Sequence, residues 1–112
     1  MTSQITSHVL DGSIGRPATG VRVRLFDADQ TLLAEASTDV DGRVGSLGPE
    51  ELPTGTYQVV FDTGAYFAAR GVATFYPSVA ITIAVESDGV SVPHYHVPLL
   101  LSPFAYSTYR GS

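Results

Sequence analysis

His94-Tyr95-His96-Val97-Pro98-Leu99-Leu100-Leu101-Ser102-Pro103-Phe104-Ala105-Tyr106-Ser107-Thr108-Tyr109-Arg110-Gly111-Ser112 reads as two extended segments meeting at a Ser-Pro turn. Alternate residues of a strand share a face. Tyr95, Val97, Leu99 and Leu101 then make a core face, while His94, His96, Pro98 and Leu100 look the other way. In the second segment Phe104, Tyr106 and Thr108 oppose Ala105, Ser107 and Tyr109, and one of these faces is expected to pack. A face carrying His96, Pro98, Ser107 and Tyr109 makes a poor core and a good cleft wall. If two copies met through it, both would present the same patch.

Along the rest of the chain strand-like runs recur between turn signals, the pattern of an all-β sandwich or barrel. They are Gln4 to Leu10, Val21 to Phe26, Thr31 to Thr38, a short piece from Arg43, Thr56 to Phe61 and Val79 to Val85. Asp11 to Pro17, Asp39-Val40-Asp41-Gly42, Gly48 to Pro53 and Asp88-Gly89 read as loops and turns. Asp62 to Gly71 is the one helical candidate, rich in Ala and closed by Gly71. At about two turns it is too short to stand without support from a sheet. The sum is about seven or eight strands and one helix.

With 112 residues the chain fits a single domain, residues 1–112, large enough for a real core. It has no Cys, so disulfides and thiolate metal sites are excluded. The net charge is −5, and the six basic residues are all Arg and unclustered, which argues against nucleic-acid binding. No apolar run approaches the roughly 18 residues of a membrane span. The N-terminus has no signal-peptide pattern, so a cytoplasmic address is expected.

The candidate chemistry lies in a few side chains. His94-x-His96 puts two imidazoles on one strand face, and His8, in the first strand, supplies a third. Such a set suits acid–base catalysis, and equally a three-His zinc site. The bland reading is a polar strand face. Arg43, after the Asp41-Gly42 turn, could hold a planar, amide-like or anionic group by paired hydrogen bonds, or be a solvated turn charge. Asp39-x-Asp41-Gly42 lacks the remaining ligands of a calcium loop and reads as a turn. Tyr109-Arg110-Gly111-Ser112 continues a strand with an aromatic ring, a cation and a flexible glycine.

Several of these segments together resemble one known family. They are His8-Val9-Leu10-Asp11, Gly15-Arg16-Pro17-Ala18, Asp41-Gly42-Arg43, His94-Tyr95-His96-Val97-Pro98-Leu99-Leu100, Ser102-Pro103 and Tyr109-Arg110-Gly111-Ser112. The chain is similar, nearly end to end, to the transthyretin-related 5-hydroxyisourate hydrolases. The terminal tetrapeptide and the His94–Leu100 run are the specific parts, whereas Gly45 to Val92 adds little.

The resemblance implies a transthyretin-like sandwich of two four-stranded sheets with one short helix. It implies a homotetramer, a dimer of dimers with clefts between facing sheets. It also implies hydrolysis of 5-hydroxyisourate without metal or other cofactor. His8, Arg43 and His96 match the family's catalytic residues. Tyr109, Arg110, Gly111 and Ser112 would close the substrate site, and His94 would support it. Either His96 or His8 could be the base that activates water. The rival readings are a transthyretin-style carrier of a small ligand, a zinc hydrolase built on His8, His94 and His96, and an immunoglobulin-like structural module.

Overall fold

The computed structural model describes residues 3–87 and 90–112. In chain order the elements are β1 (Ile5–Asp11), β2 (Arg16–Pro17), β3 (Arg22–Phe26), β4 (Leu32–Ser37), β5 (Arg43–Val44), β6 (Gly55–Phe61), α1 (Thr63–Ala69), β7 (Val79–Val85), β8 (Tyr95–Ser102) and β9 (Ala105–Thr108). One sheet runs β4-β3-β6-β7, and the other runs β2-β1-β8-β9 with β5 also on β1.

The expected count of strands per sheet needs one correction. The second sheet has five strands, because two short strands share one edge of β1. β5 pairs with Ser7 and His8, and β2 with Leu10 and Asp11. The sheet is therefore still four strands wide. β2 lies inside the segment expected to be only a loop. The turn expected at Asp88-Gly89 lies outside the described residues.

Two layers form because both inner faces are apolar. β1 buries Ile5, Ser7, Val9 and Asp11 and turns Thr6, His8 and Leu10 outward. β8 buries Tyr95, Val97, Leu99 and Leu101, as its alternation predicts. Val23, Leu25, Val59 and Phe61 face them from the other sheet, all fully buried. Burying each such side chain stabilises the fold by roughly 1.5–3 kcal/mol. Pro98 departs from expectation, being buried although its strand face was read as a cleft wall. It sits opposite His8 in the middle of the sheet. Having no N–H, it also suits the point just before the β9 ladder begins at Leu99 opposite Thr108.

β9 is a second departure. Neither of its faces packs: Phe104 and Tyr109 are 69% and 59% exposed, and every residue of β9 is exposed. It is the outer strand of its sheet, and an open groove lies between its Thr108 end and Ile81 and Ile83 of β7 in the facing sheet. Only Tyr106 finds an aromatic neighbour, Tyr76, with ring centroids 5.0 Å apart.

α1 is shorter than the predicted Asp62–Gly71 and docks through buried Tyr66 and Phe67. The Tyr66 hydroxyl donates to Asp11 Oδ2 at 2.7 Å. The backbone and hydroxyl of Ser13 donate to the other oxygen of that buried carboxylate. Burial opposes ionisation of Asp11, but these hydrogen bonds and the nearby Arg70 charge outweigh it and hold its pKa below the ordinary 3.8. Burial and the same carboxylate push the Tyr66 phenol up to about 12.

This pair predicts an outcome for Tyr66→Phe. Leaving one Asp11 oxygen without its donor costs about 1–3 kcal/mol, read as a melting temperature lower by several degrees. The sign with pH follows from linkage. A carboxylate depressed in the folded state stabilises above its unfolded pKa and loses that contribution as pH falls through the folded value. Tyr66→Phe weakens the depression, so acid unfolding sets in at higher pH than in the wild type. An unchanged melting temperature and acid midpoint would contradict this role.

Candidate active site

The outward face of the second sheet gathers the singled-out residues. β1 and β8 run parallel, with Thr6 opposite His96 and His8 opposite Pro98. On the other side of β1, His8 stands opposite Arg43 of β5. Three strands, far apart in sequence, thus bring His96, His8 and Arg43 onto neighbouring positions of one face.

A tight turn places Arg43. Asp39 Oδ1 accepts hydrogen bonds from the backbone N–H groups of Asp41 and Arg43, each at 2.9 Å. Its carboxylate is engaged with backbone, as the turn reading expected. Gly42 adopts φ 74°, and a Cβ there would lie 2.4 Å from the Val9 carbonyl oxygen, so only glycine fits. The turn also holds His8, whose Nε2–H donates to the Asp41 carbonyl at 3.0 Å. A carbonyl can only accept, so the proton of neutral His8 sits on Nε2 and Nδ1 is left bare.

The tail closes over His96. The β8–β9 register carries on past Thr108, and Gly111 forms an isolated bridge to His96. The Gly111 N–H donates to the His96 carbonyl at 2.9 Å. A Cβ on Gly111 would lie 2.4 Å from His96 Cδ2, so the tail reaches the ring only because residue 111 has no side chain. The Arg110 guanidinium lies 4.7 Å over the Tyr95 ring, a cation–π contact that seats the tail.

A hollow of about 220 Å³ opens here, bordered by Thr6, Arg43, Gly45, His94, His96 and Ser112. His8 stands beside it. Tyr109 and Arg110 instead border a more apolar groove of about 320 Å³ with Ile81, Ile83 and Tyr95, and His96 forms a wall of both. The tail is therefore divided, with Ser112 at the hollow and Tyr109 and Arg110 at its neighbour. His94 lies just ahead of β8 rather than in a strand, and is exposed. Among the described residues no three His, Asp or Glu side chains come together as a metal site, so the zinc ligand set of His8, His94 and His96 is not assembled.

Sequence reasoning missed Thr6. Its hydroxyl lies 2.8 Å from His94 Nε2 and 2.8 Å from His96 Nδ1. Thr6 shares a strand face with His8, a signal that was legible, but its proximity to His96 follows only from the β1–β8 register.

His96 is half-buried, and burial is the first cause that lowers its pKa below the ordinary 6.5. The positive charges of Arg43, His8 and His94 act in the same direction. At neutral pH its imidazole is therefore unprotonated. NMR titration of the imidazoles is expected to give His96 a midpoint below 6.5. In Gly111→Ala either the tail lifts or the ring swings away. Both uncover His96, so its midpoint rises. A midpoint that stays put in Gly111→Ala would mean the tail does not cover the ring.

Comparisons with known proteins establish the family and the fold. The model of the HIUase/Transthyretin family matches residues 5–111. The 5-hydroxyisourate hydrolase of Salmonella typhimurium is 43% identical over 112 residues, 96% of this chain and 80% of that protein. That of Mus musculus is 40% identical over 117 residues, 99% and 97% of the two chains. Among solved structures, Klebsiella pneumoniae 5-hydroxyisourate hydrolase superposes with a TM-score of 0.85 at 36% identity, covering 96% of this chain and 98% of that one. Sea bream transthyretin in complex with thyroxine superposes with a TM-score of 0.87 at 33% identity, covering 96% and 94%. The two-layer fold is thus transthyretin-like, and the chain belongs to the HIUase/Transthyretin family.

Proposed function

We propose that this chain, as a single domain over residues 1–112, hydrolyses 5-hydroxyisourate to 2-oxo-4-hydroxy-4-carboxy-5-ureidoimidazoline. The observation that carries the reading is the meeting of His96 and Arg43 at one hollow, with His8 alongside. Relatives named for this activity at about 40% identity support it. A carrier of an apolar ligand needs neither a guanidinium nor a lowered imidazole beside it, and the transthyretin likeness speaks for the fold alone.

The reaction adds water to an amide-type carbonyl and opens the six-membered ring. Water is a weak nucleophile at neutral pH, so a base must take its proton. His96 suits that role because its surroundings keep it neutral. Thr6 lies on its Nδ1, which leaves Nε2 to face the reacting water. Arg43 would stabilise the negative charge developing on the carbonyl oxygen, an effect worth about 3 kcal/mol in comparable sites. His8, oriented by the Asp41 carbonyl, would position the substrate or assist proton delivery to the leaving nitrogen. Ser112 and Gly111 would shape the pocket, with Tyr109, Arg110 and His94 in support. No metal or other cofactor is needed in this scheme.

We also propose a homotetramer, a dimer of dimers. The outer position of β9 and the exposed Phe104, Tyr106 and Tyr109 support assembly through that edge. Among the described residues no helix is long and apolar enough to cross a membrane. A cytoplasmic setting is proposed with the function, in keeping with a chain that has no Cys.

The test is turnover of freshly generated 5-hydroxyisourate. His96→Ala and Arg43→Glu are each expected to lower it by at least about tenfold while the oligomer persists. Removal of residues 109–112 is expected to do the same. Normal rates in both point variants would overturn the role assignment, and ligand binding without any turnover by the wild type would favour a carrier.

A further inference from the structure

Thr6 touches two imidazoles with one hydroxyl, at 2.8 Å from His94 Nε2 and 2.8 Å from His96 Nδ1. A hydroxyl has a single proton, so it can donate to one ring nitrogen only and must accept from the other. Two arrangements satisfy both contacts. In the first, His96 Nδ1–H donates to Thr6, and Thr6 donates to a bare His94 Nε2. His96 Nε2 is then bare and ready to act as a base, and His94 carries its proton on Nδ1. In the second, His94 Nε2–H donates to Thr6, and Thr6 donates to a bare His96 Nδ1. His96 then carries its proton on Nε2 and is ready to act as an acid. In both arrangements the two neutral rings have the same tautomer.

We propose that Thr6 is a positioning residue for the hydrolysis proposed above, tying His94 to His96 so that the pair switches tautomer together and passes a proton between the hollow and solvent. This inference rests on that functional reading for its kinetic consequence, but its tautomer rule stands on the geometry alone.

The proton count closes at each stage. His96 Nε2 takes a proton from water as the oxygen bonds to the carbonyl carbon. The His96 Nδ1 proton moves to Thr6 Oγ1, and the original Thr6 proton moves to His94 Nε2. The exposed His94 then releases its Nδ1 proton to solvent, so both rings and the hydroxyl are again neutral. His96 now holds a proton on Nε2 alone. As the tetrahedral oxyanion re-forms its C=O bond and the ring C–N bond breaks, giving this proton to the leaving nitrogen runs the chain in reverse, with His94 taking a proton from solvent on Nδ1. Over the cycle one proton of the attacking water is in effect delivered to the leaving nitrogen, and solvent neither gains nor loses one.

The surroundings favour such a relay. His96 faces Arg43 from β5, His8 from β1 and His94 from the segment ahead of β8. All of these oppose a lasting imidazolium at His96. His94 is exposed, open to proton exchange with water, and also borders a hollow that carries Glu50 and Glu51. Thr6 supplies the link between the two environments.

The experiment uses the full chain, with nitrogen-15 NMR of the imidazoles above both midpoints and steady-state kinetics on 5-hydroxyisourate. His8 serves as reference, since its Nε2–H donates to a carbonyl. In the wild type, His94 and His96 are expected to show the same tautomer. Thr6→Val keeps the β-branched shape suited to a strand and removes only the hydroxyl, whereas Thr6→Ser retains it. Thr6→Val is expected to let the two tautomers diverge, lower kcat by about tenfold or more with little change in KM, and alter the acid limb of the pH profile. Thr6→Ser is expected to restore all three. Opposite tautomers in the wild type, or a wild-type kcat and pH profile in Thr6→Val, would overturn the proposal. If no variant, including the wild type, accelerates 5-hydroxyisourate decay, the functional reading fails while the shared tautomer still stands or falls by NMR.

Discussion

The parallel pairing of β1 with β8 is the constraint on which the site depends. It puts Thr6 opposite His96, joining side chains 90 residues apart in the chain. Every other strand pair described is antiparallel. The register is enforced by burial rather than by the polar groups themselves. A slip of one residue would turn His8 and Thr6 inward and carry Ile5 and Val9, both fully buried, out to solvent. Exposing each of those side chains costs roughly 1.5–3 kcal/mol. The core therefore holds the face on which the imidazoles stand, and stability and geometry are set by the same pairing.

Two glycines complete what the register begins. Gly42 lets the turn fold back against Val9, which puts Arg43 beside His8 and presents the Asp41 carbonyl to the His8 ring. Gly111 lets the tail lie on the His96 ring without a side chain between them. Neither glycine has chemistry of its own. Each allows an approach of backbone that any Cβ would block, and each determines the surroundings of an imidazole. The lowered pKa of His96 is the electrostatic consequence, arising first from burial and then from its cationic neighbours.

Much of this was legible in the sequence. Alternation in Tyr95, Val97, Leu99 and Leu101 identified a core face, and the turn chemistry of Asp39 and Gly42 was readable from residue type. The family resemblance supplied the candidate residues by position. What alternation could not supply was which strands become neighbours. Thr6 was overlooked because its partners come from β8 and the segment just ahead of it, and the burial of Pro98 because its coverage comes from the centre of the sheet. β9 was misread because alternation describes a strand's two faces and says nothing of whether a facing layer reaches them. The division of the tail, with Ser112 at one hollow and Tyr109 and Arg110 at another, likewise depends on long-range packing.

The same two-layer fold is seen in a 5-hydroxyisourate hydrolase and in a thyroxine-bound transthyretin, so fold alone does not choose between catalysis and carriage. The proposal of catalysis rests on the imidazole–guanidinium face. The most direct test of that claim is the pH dependence of kcat/KM for the wild-type chain on freshly generated 5-hydroxyisourate, measured against spontaneous decay. A large acceleration is expected that holds below pH 6.5, the ordinary imidazole value, before an acid limb appears. Decay at the spontaneous rate across the whole range would contradict it.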